Sequence, residues 1–298
     1  MSIQTTAKVK QLFNFGNSTS ADMSEYFRYT GLLTLVFALT NASTFPPYTK
    51  ILALAAILIY PVFTNKWLWP SLFLVALLTF LSGSIWTFDN HEWAILYWFL
   101  TLALFSFVRK DELLQTTSRY LIGFIFLFAT SWKIAAADFR TFSFFEVTGN
   151  TEPRFTQIMI PFGLMPDAVN TNNSQIDRWK DPEYGLQGFT LITGDALENF
   201  WAILTLMTYA VEGGLALVFL WPLAKKMTWI RDALLAVFFI GTYVMVPVSG
   251  FGNLLAIMGF AASNLELKRR TYLYGGLLVL MEIIPTRMLL LDFLGMTS

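Results

Sequence analysis

Apolar residues in this chain come in runs too long for the alternation of a half-buried strand or the one-sided stripe of a surface helix. Windows of about 20 mostly apolar residues, the length a helix needs to cross a bilayer, fall at 25–43, 48–64, 67–86, 92–108, 117–136, 198–222, 229–247, 251–266 and 271–292. The second and eighth are short. One long polar connection, 137–197, follows the fifth window and includes RWKDPEYG at 178–185. Within it, QIMIPFGLM (Gln157 to Met165) is apolar but too short to cross and is broken by Pro161, so it is expected at the membrane interface or re-entering it. The pattern predicts an all-α polytopic transmembrane bundle of about nine spans. A cytoplasmic segment, 1–22, would precede a single transmembrane domain, 23–298.

Lys and Arg residues orient the bundle, because short cytoplasmic loops carry them in excess. With the N-terminus inside, the inner connections hold Lys8 and Lys10, Lys66, Arg109 and Lys110, then Lys225, Lys226 and Arg231, then Lys268, Arg269 and Arg270. The short outer connections hold Lys50, none in TFDNHE (87–92) and none in VPVSGFGN (246–253). This predicts an inside N-terminus, an outside C-terminus and an outer 137–197 loop. Trp86, Trp93, Trp132 and Trp201 then lie near the outer surface, and Trp67, Trp69, Trp221 and Trp229 near the inner one, as in an aromatic belt. The polar first twenty residues read as no removable signal peptide, so the first span would serve as the anchor.

Composition narrows the chemistry. Apolar residues make up 55% of the chain and charged residues only 13%, which makes lipid the main solvent and membrane lipid the first partner. A formal charge of zero without a basic block gives no reason to expect nucleic acid. The absence of cysteine removes disulfides, thiolate metal sites and thiol nucleophiles, and a single histidine, His91, removes a polyhistidine site, so no metal is expected. Sequons at Asn17, Asn41 and Asn172 are too common a pattern to place the protein in a secretory pathway. The expected location is integral to a membrane, the plasma (inner) membrane if the source is bacterial.

Ionisable side chains inside spans are costly and usually face the bundle interior. Glu212 (YAVEGG) falls near the middle of the sixth window and Glu282 (LMEIIP) near the middle of the ninth. Lys133 (TSWKIA) ends the fifth, and Asn90 and His91 (FDNHEW) open the fourth, all three at the outer end. Each admits a plain structural role. Lys133 could snorkel to the interface, and Asn90 could cap a helix whose first turn carries Glu92. His91 could be a solvated boundary residue. Glu212, followed by Gly213 and Gly214, could be a protonated hydrogen-bonding group at a close helix contact, and Glu282 could be neutralised likewise or by Arg287. The alternative is catalytic: a lysine out of water becomes available as a base, with Asn90 or His91 orienting a substrate oxygen.

At these residues the chain resembles a known family. NHEWAILYWFLTLALF at 90–105, YLIGFIFLFATSWKIAAADF at 120–139 and YAVEGGLALVFLWP at 209–222 are similar to three helices of the vitamin K-dependent gamma-glutamyl carboxylase and its bacterial relatives, the horizontally transferred transmembrane (HTTM) domain. The similarity runs over roughly 20–290. The resemblance implies a nine-helix bundle with an outward-facing, lipid- or quinone-sized cavity. In it Lys133 would be the base, Asn90 and His91 would hold the ring of a reduced quinone with Trp132 beside them, and a peptide would be modified. The chain departs from that pattern in GTYVMVPVSGFGN (241–253), where the carboxylase carries a further histidine, and its 298 residues include no large luminal domain. Two other function classes remain: a non-catalytic maturation or scaffold factor for a secreted peptide or another membrane protein, and a proton-coupled transporter using Glu212 and Glu282 at the midplane.

Overall fold

The computed structural model describes residues 24–40, 47–82, 90–151, 166–180, 191–193, 195–221, 228–243 and 248–293. Among them are thirteen helices and no strand. In chain order these are α1 (Glu25–Thr40), α2 (Pro47–Leu58), α3 (Tyr60–Phe63), α4 (Leu68–Ser82), α5 (Asn90–Val108), α6 (Asp111–Ala135), α7 (Ala137–Arg140), α8 (Ser143–Thr151), α9 (Pro166–Lys180), α10 (Asp195–Leu220), α11 (Thr228–Tyr243), α12 (Ser249–Ala262) and α13 (Leu267–Phe293). The protein is all-α.

Every apolar window contains a helix. The window at 48–64 contains two, because Pro61 has no N–H to continue the ladder and Ile59 turns extended, with φ −118° and ψ 96°. Two helices are long and apolar enough to cross a membrane among the described residues, α6 and the Asn199–Leu220 stretch of α10. The apolar helices Pro47–Leu58, Leu68–Ser82, Glu92–Val108 and Gly250–Ala262 are shorter. α5 and α6 form a hairpin through Arg109, which adopts a left-handed φ of 49°, and Asp111 and Glu112 then complement the dipole at the start of α6.

α12 lies at the centre. Leu254, Leu255, Ala256, Ile257 and Met258 are wholly buried, and the helix packs on α1, α6, α11 and α13. Two glycines seven residues apart permit this. A Cβ on Gly252 would stand 2.6 Å from Met281, and one on Gly259 would stand 2.3 Å from the Tyr274 ring. At one end of this helix polar groups bind the neighbours together. Tyr274 and Ser263 donate to the two oxygens of Asp232 at 2.5 and 3.0 Å, Tyr26 donates to the Ala261 carbonyl, and Gln115 donates to the Ser263 carbonyl at 2.8 Å. Arg231 and Arg270, expected in connections between spans, begin helices and are buried at this end. Helix starts and ends converge here, and arginine stems are long enough to bridge them.

The 137–197 connection is not a plain loop. α7, α8, α9 and the first turns of α10 fold into a small cap with its own core of Val169, Leu197 and Trp201, flanked by Phe145, Phe200 and Leu204. Gly149 admits the Trp201 ring, since a Cβ there would lie 2.2 Å from it. Asn172, in one of the three sequons, is fully buried. It accepts from the Ile192 N–H at 2.9 Å and donates to the Ile192 carbonyl at 3.1 Å, so its amide is a structural clasp. QIMIPFGLM at 157–165 lies outside the described residues, as do Asn17 and Asn41.

Candidate functional site

α6 and α10 are antiparallel and in close register. Gly123 faces Phe219 and Leu220, Gly213 faces Thr130, and Tyr209 donates from its hydroxyl to the Lys133 carbonyl at 3.1 Å. Glycine at 123 lets the backbones approach, since a Cβ there would stand 2.7 Å from Leu220, whereas one at Gly213 would make an ordinary 3.8 Å contact with Thr130. On this register the end of α6 lies level with about residue 207, so α10 projects some 20 Å beyond it at 1.5 Å per residue. The cap folds around that projection.

This register brings Lys133 and Glu212 together. The Lys133 ammonium donates to Oε1 at 2.9 Å and to Oε2 at 2.6 Å, and the side chains are 18% and 11% exposed, an ion pair at the edge of the bundle. The sequence placed Glu212 near mid-span; the structure sets it level with the last turns of α6, because the first turns of α10 belong to the cap. Lys133 Nζ lies 5.5 Å from the centre of the buried Phe139 ring. Phe139 is held by stacking on Phe144 at 4.2 Å and by edge contact with Phe145. Between these aromatics Phe142 takes a left-handed φ of 61°, a strained turn of the kind that persists where packing over-determines it.

Two hydroxyls near the pair have no hydrogen-bond partner although buried, Thr130 Oγ1 and Tyr243 OH. Thr130 packs against Gly213, next to Glu212. Tyr243, at the end of α11, is close enough to Glu212 to feel its charge and is 1% exposed. Buried, unpartnered hydroxyls beside an ion pair are the groups a bound polar molecule would satisfy.

The other predicted residues distribute as follows. Asn90 and His91 open α5, but their side chains lie outside the described residues. α5 has 19 residues and α6 has 25, so from their shared hairpin α6 reaches about 9 Å farther, and Lys133 stands roughly a turn beyond the start of α5. Trp132 is 69% exposed, on a different face of α6 from Lys133. Glu282 is exposed on α13 and accepts from the Asn253 amide at 2.8 Å, on α12 instead of α10. Arg287 lies outside what is described at side-chain level.

Sequence reasoning did not single out Phe139, Tyr209, Tyr243 or Thr130. For Phe139 a signal existed, the Asp138–Phe139 pair following the lysine. For the others there was none, since their roles depend on helix register. No family model, curated protein or solved structure matches the chain.

Proposed function

We propose that this is an integral membrane protein of about nine spans, related to the HTTM carboxylase-like proteins it resembles, whose outer end carries a proton-transfer centre acting on a lipid-soluble acid such as a reduced quinone. The observation that carries the reading is the two-point contact of Lys133 with Glu212. Support for the membrane setting comes from the outward faces of the helices. Leu54 and Leu58, Leu74 and Leu78, Leu104, Phe128, Leu206 and Leu217, Ile240 and Val279 all stand exposed, an apolar surface larger than a water-facing monomer tolerates.

An ammonium group is not a base. Glu212 is within reach to make it one, because one proton crossing the 2.6 Å contact turns an ammonium–carboxylate pair into an amine and a carboxylic acid. That conversion costs least where water does not solvate the charges. The lone pair freed on Nζ then takes a proton from an acidic hydroxyl of the substrate, while Glu212 holds the displaced one. Thr130 and Tyr243 have free hydroxyls to bind a substrate oxygen, and Phe139 limits water beside Lys133 Nζ. A reduced quinone would supply the ionisable, oxidisable hydroxyls. On the family resemblance Asn90 and His91 would hold its ring.

The deprotonated quinol would pass its electrons to dissolved oxygen as co-substrate, so the test is oxygen consumption by the full chain in liposomes supplied with a reduced naphthoquinone. Lys133→Ala should lower the rate on the order of 100-fold or more, the usual weight of a general base, while quinone binding persists. Full activity in that variant would end the reading.

A second reading, a maturation or scaffold factor for a secreted peptide or another membrane protein, is favoured by the cap, a small separately cored structure beyond the end of α6. It predicts that Trp201→Ala abolishes co-purification of a co-expressed secreted peptide while Lys133→Ala does not. Retained co-purification in the Trp201 variant would count against it.

A further inference from the structure

Among the described residues, the end of the bundle opposite Lys133 buries three arginines, Arg119, Arg231 and Arg270, and one carboxylate, Asp232. α6 and α11 meet through Phe126 and Phe238, whose rings lie edge to face at 4.8 Å. Seven residues before each stand Arg119 and Arg231. Seven residues is close to two helical turns, so both arginines spring from the faces of their phenylalanines, at one level below that contact. The end of α10 closes a third side. Phe219 lies 3.2 Å from where a Gly123 Cβ would stand, and its ring lies 5.9 Å from the Arg231 guanidinium. Arg231 feels the charge of Asp232 and, more weakly, that of Arg119, and the Arg119 guanidinium stands 4.5 Å from the centre of the Tyr120 ring.

Arg119 and Arg231 are 7% and 3% exposed. The Nε of each is buried without a hydrogen-bond partner, and among the described residues neither arginine forms an ion pair. The nearest carboxylate in sequence, Asp232, has both oxygens engaged by Tyr274 and Ser263 on α13 and beside α12. Arg270 is committed elsewhere, donating to the Leu265 carbonyl at 2.9 Å with its guanidinium 4.8 Å from the centre of the Tyr26 ring. A like-charged buried pair with unused donors costs stability until an anion joins it. The planar guanidinium fork matches two oxygens of a phosphate group at once.

We propose that Arg119 and Arg231 form a phosphate-binding site, closed by α6, α11 and the end of α10, that takes inorganic phosphate or the phosphodiester of a lipid headgroup. Lys133 stands 14 residues farther along α6, about 21 Å, so the site is separate from the proton-transfer centre and does not depend on it.

The full chain, purified in neutral detergent and phosphate-free buffer, is titrated with inorganic phosphate and separately with short-chain phosphatidylglycerol. Diacylglycerol of the same chain length is the phosphate-free control, and Tm is the readout. Wild type should gain several degrees with at least one phosphate probe and nothing with diacylglycerol. A response to phosphatidylglycerol alone assigns a lipid, and a response to inorganic phosphate assigns a free ion. Arg119→Gln and Arg231→Gln should weaken the apparent affinity at least tenfold, while Arg269→Gln, on an exposed position, leaves it unchanged. Arg231→Met should match or exceed the wild-type Tm without phosphate and lose the response, whereas a purely structural arginine would lower Tm. Should the glutamine variants not fold, Arg119→Lys and Arg231→Lys keep the charge without the fork and should bind several-fold more weakly. No response in wild type, an equal response to diacylglycerol, or wild-type affinity in the arginine variants would overturn the proposal.

Discussion

The two ends of α6 treat buried charge in opposite ways. Near its last turn Lys133 meets Glu212, which α10 brings from 79 positions away in the chain, and the local charge sums to zero. Near its first turns Arg119 shares a level with Arg231, and among the described residues α10 brings Phe219 and Leu220, not a carboxylate, close to that level. One antiparallel register thus fixes both outcomes, since it decides whether a carboxylate or an apolar ring stands opposite each cation. The neutral end can exchange a proton internally; the positive end calls for an anion from outside.

Removing Glu212 should break this contrast most strongly. Glu212→Ala leaves the Lys133 ammonium largely buried with no counter-charge and should cost about 3 kcal/mol, measured as a lower Tm in detergent. The Lys133→Ala, Glu212→Ala double variant should recover much of that loss. Equal losses in the single and double variants would mean that the two groups are not coupled. At the other end, Tyr274→Phe removes one of two donors to Asp232 and should cost about 1–2 kcal/mol, less than the first change because Ser263 still donates. An unchanged Tm would show that the Asp232 network contributes little to holding α11 and α13 together. The smallest effect belongs to Trp132→Ala. That ring stands 69% exposed beside Lys133, and its loss should change stability by no more than about 0.5 kcal/mol. A large loss would place the indole against a partner or in the site.

The helices outside the cap were legible because they lie in apolar runs bounded by polar residues, as with Ser24 and Glu25 at the start of α1 or Asp111 and Glu112 at the start of α6. The acidic–glycine sequence at 212–214 also pointed to a close helix contact, and Gly213 does face Thr130 on α6. The cap was not legible. Its short helices at 143–151 and 166–180 are too polar for an apolar window, and they are stabilised by distant Trp201 and by Asn172 clasping Ile192. The burial of Arg231 and Arg270 was hidden for a related reason. Counting cations by loop assigns Arg231 and Arg270 to water, whereas their long side chains fold back between helix ends.

By itself the sequence determined the all-α class, the apolar character of the chain and the residue types able to carry chemistry, because these follow from local composition and from the length of apolar runs. Only the tertiary structure decided which charge meets which. Partnership between Lys133 and Glu212, and its lack at Arg119 and Arg231, depends on how far α10 slides along α6. The close approach at Gly123 and the bond from Tyr209 to the Lys133 carbonyl fix that slide, through packing between segments distant in the chain.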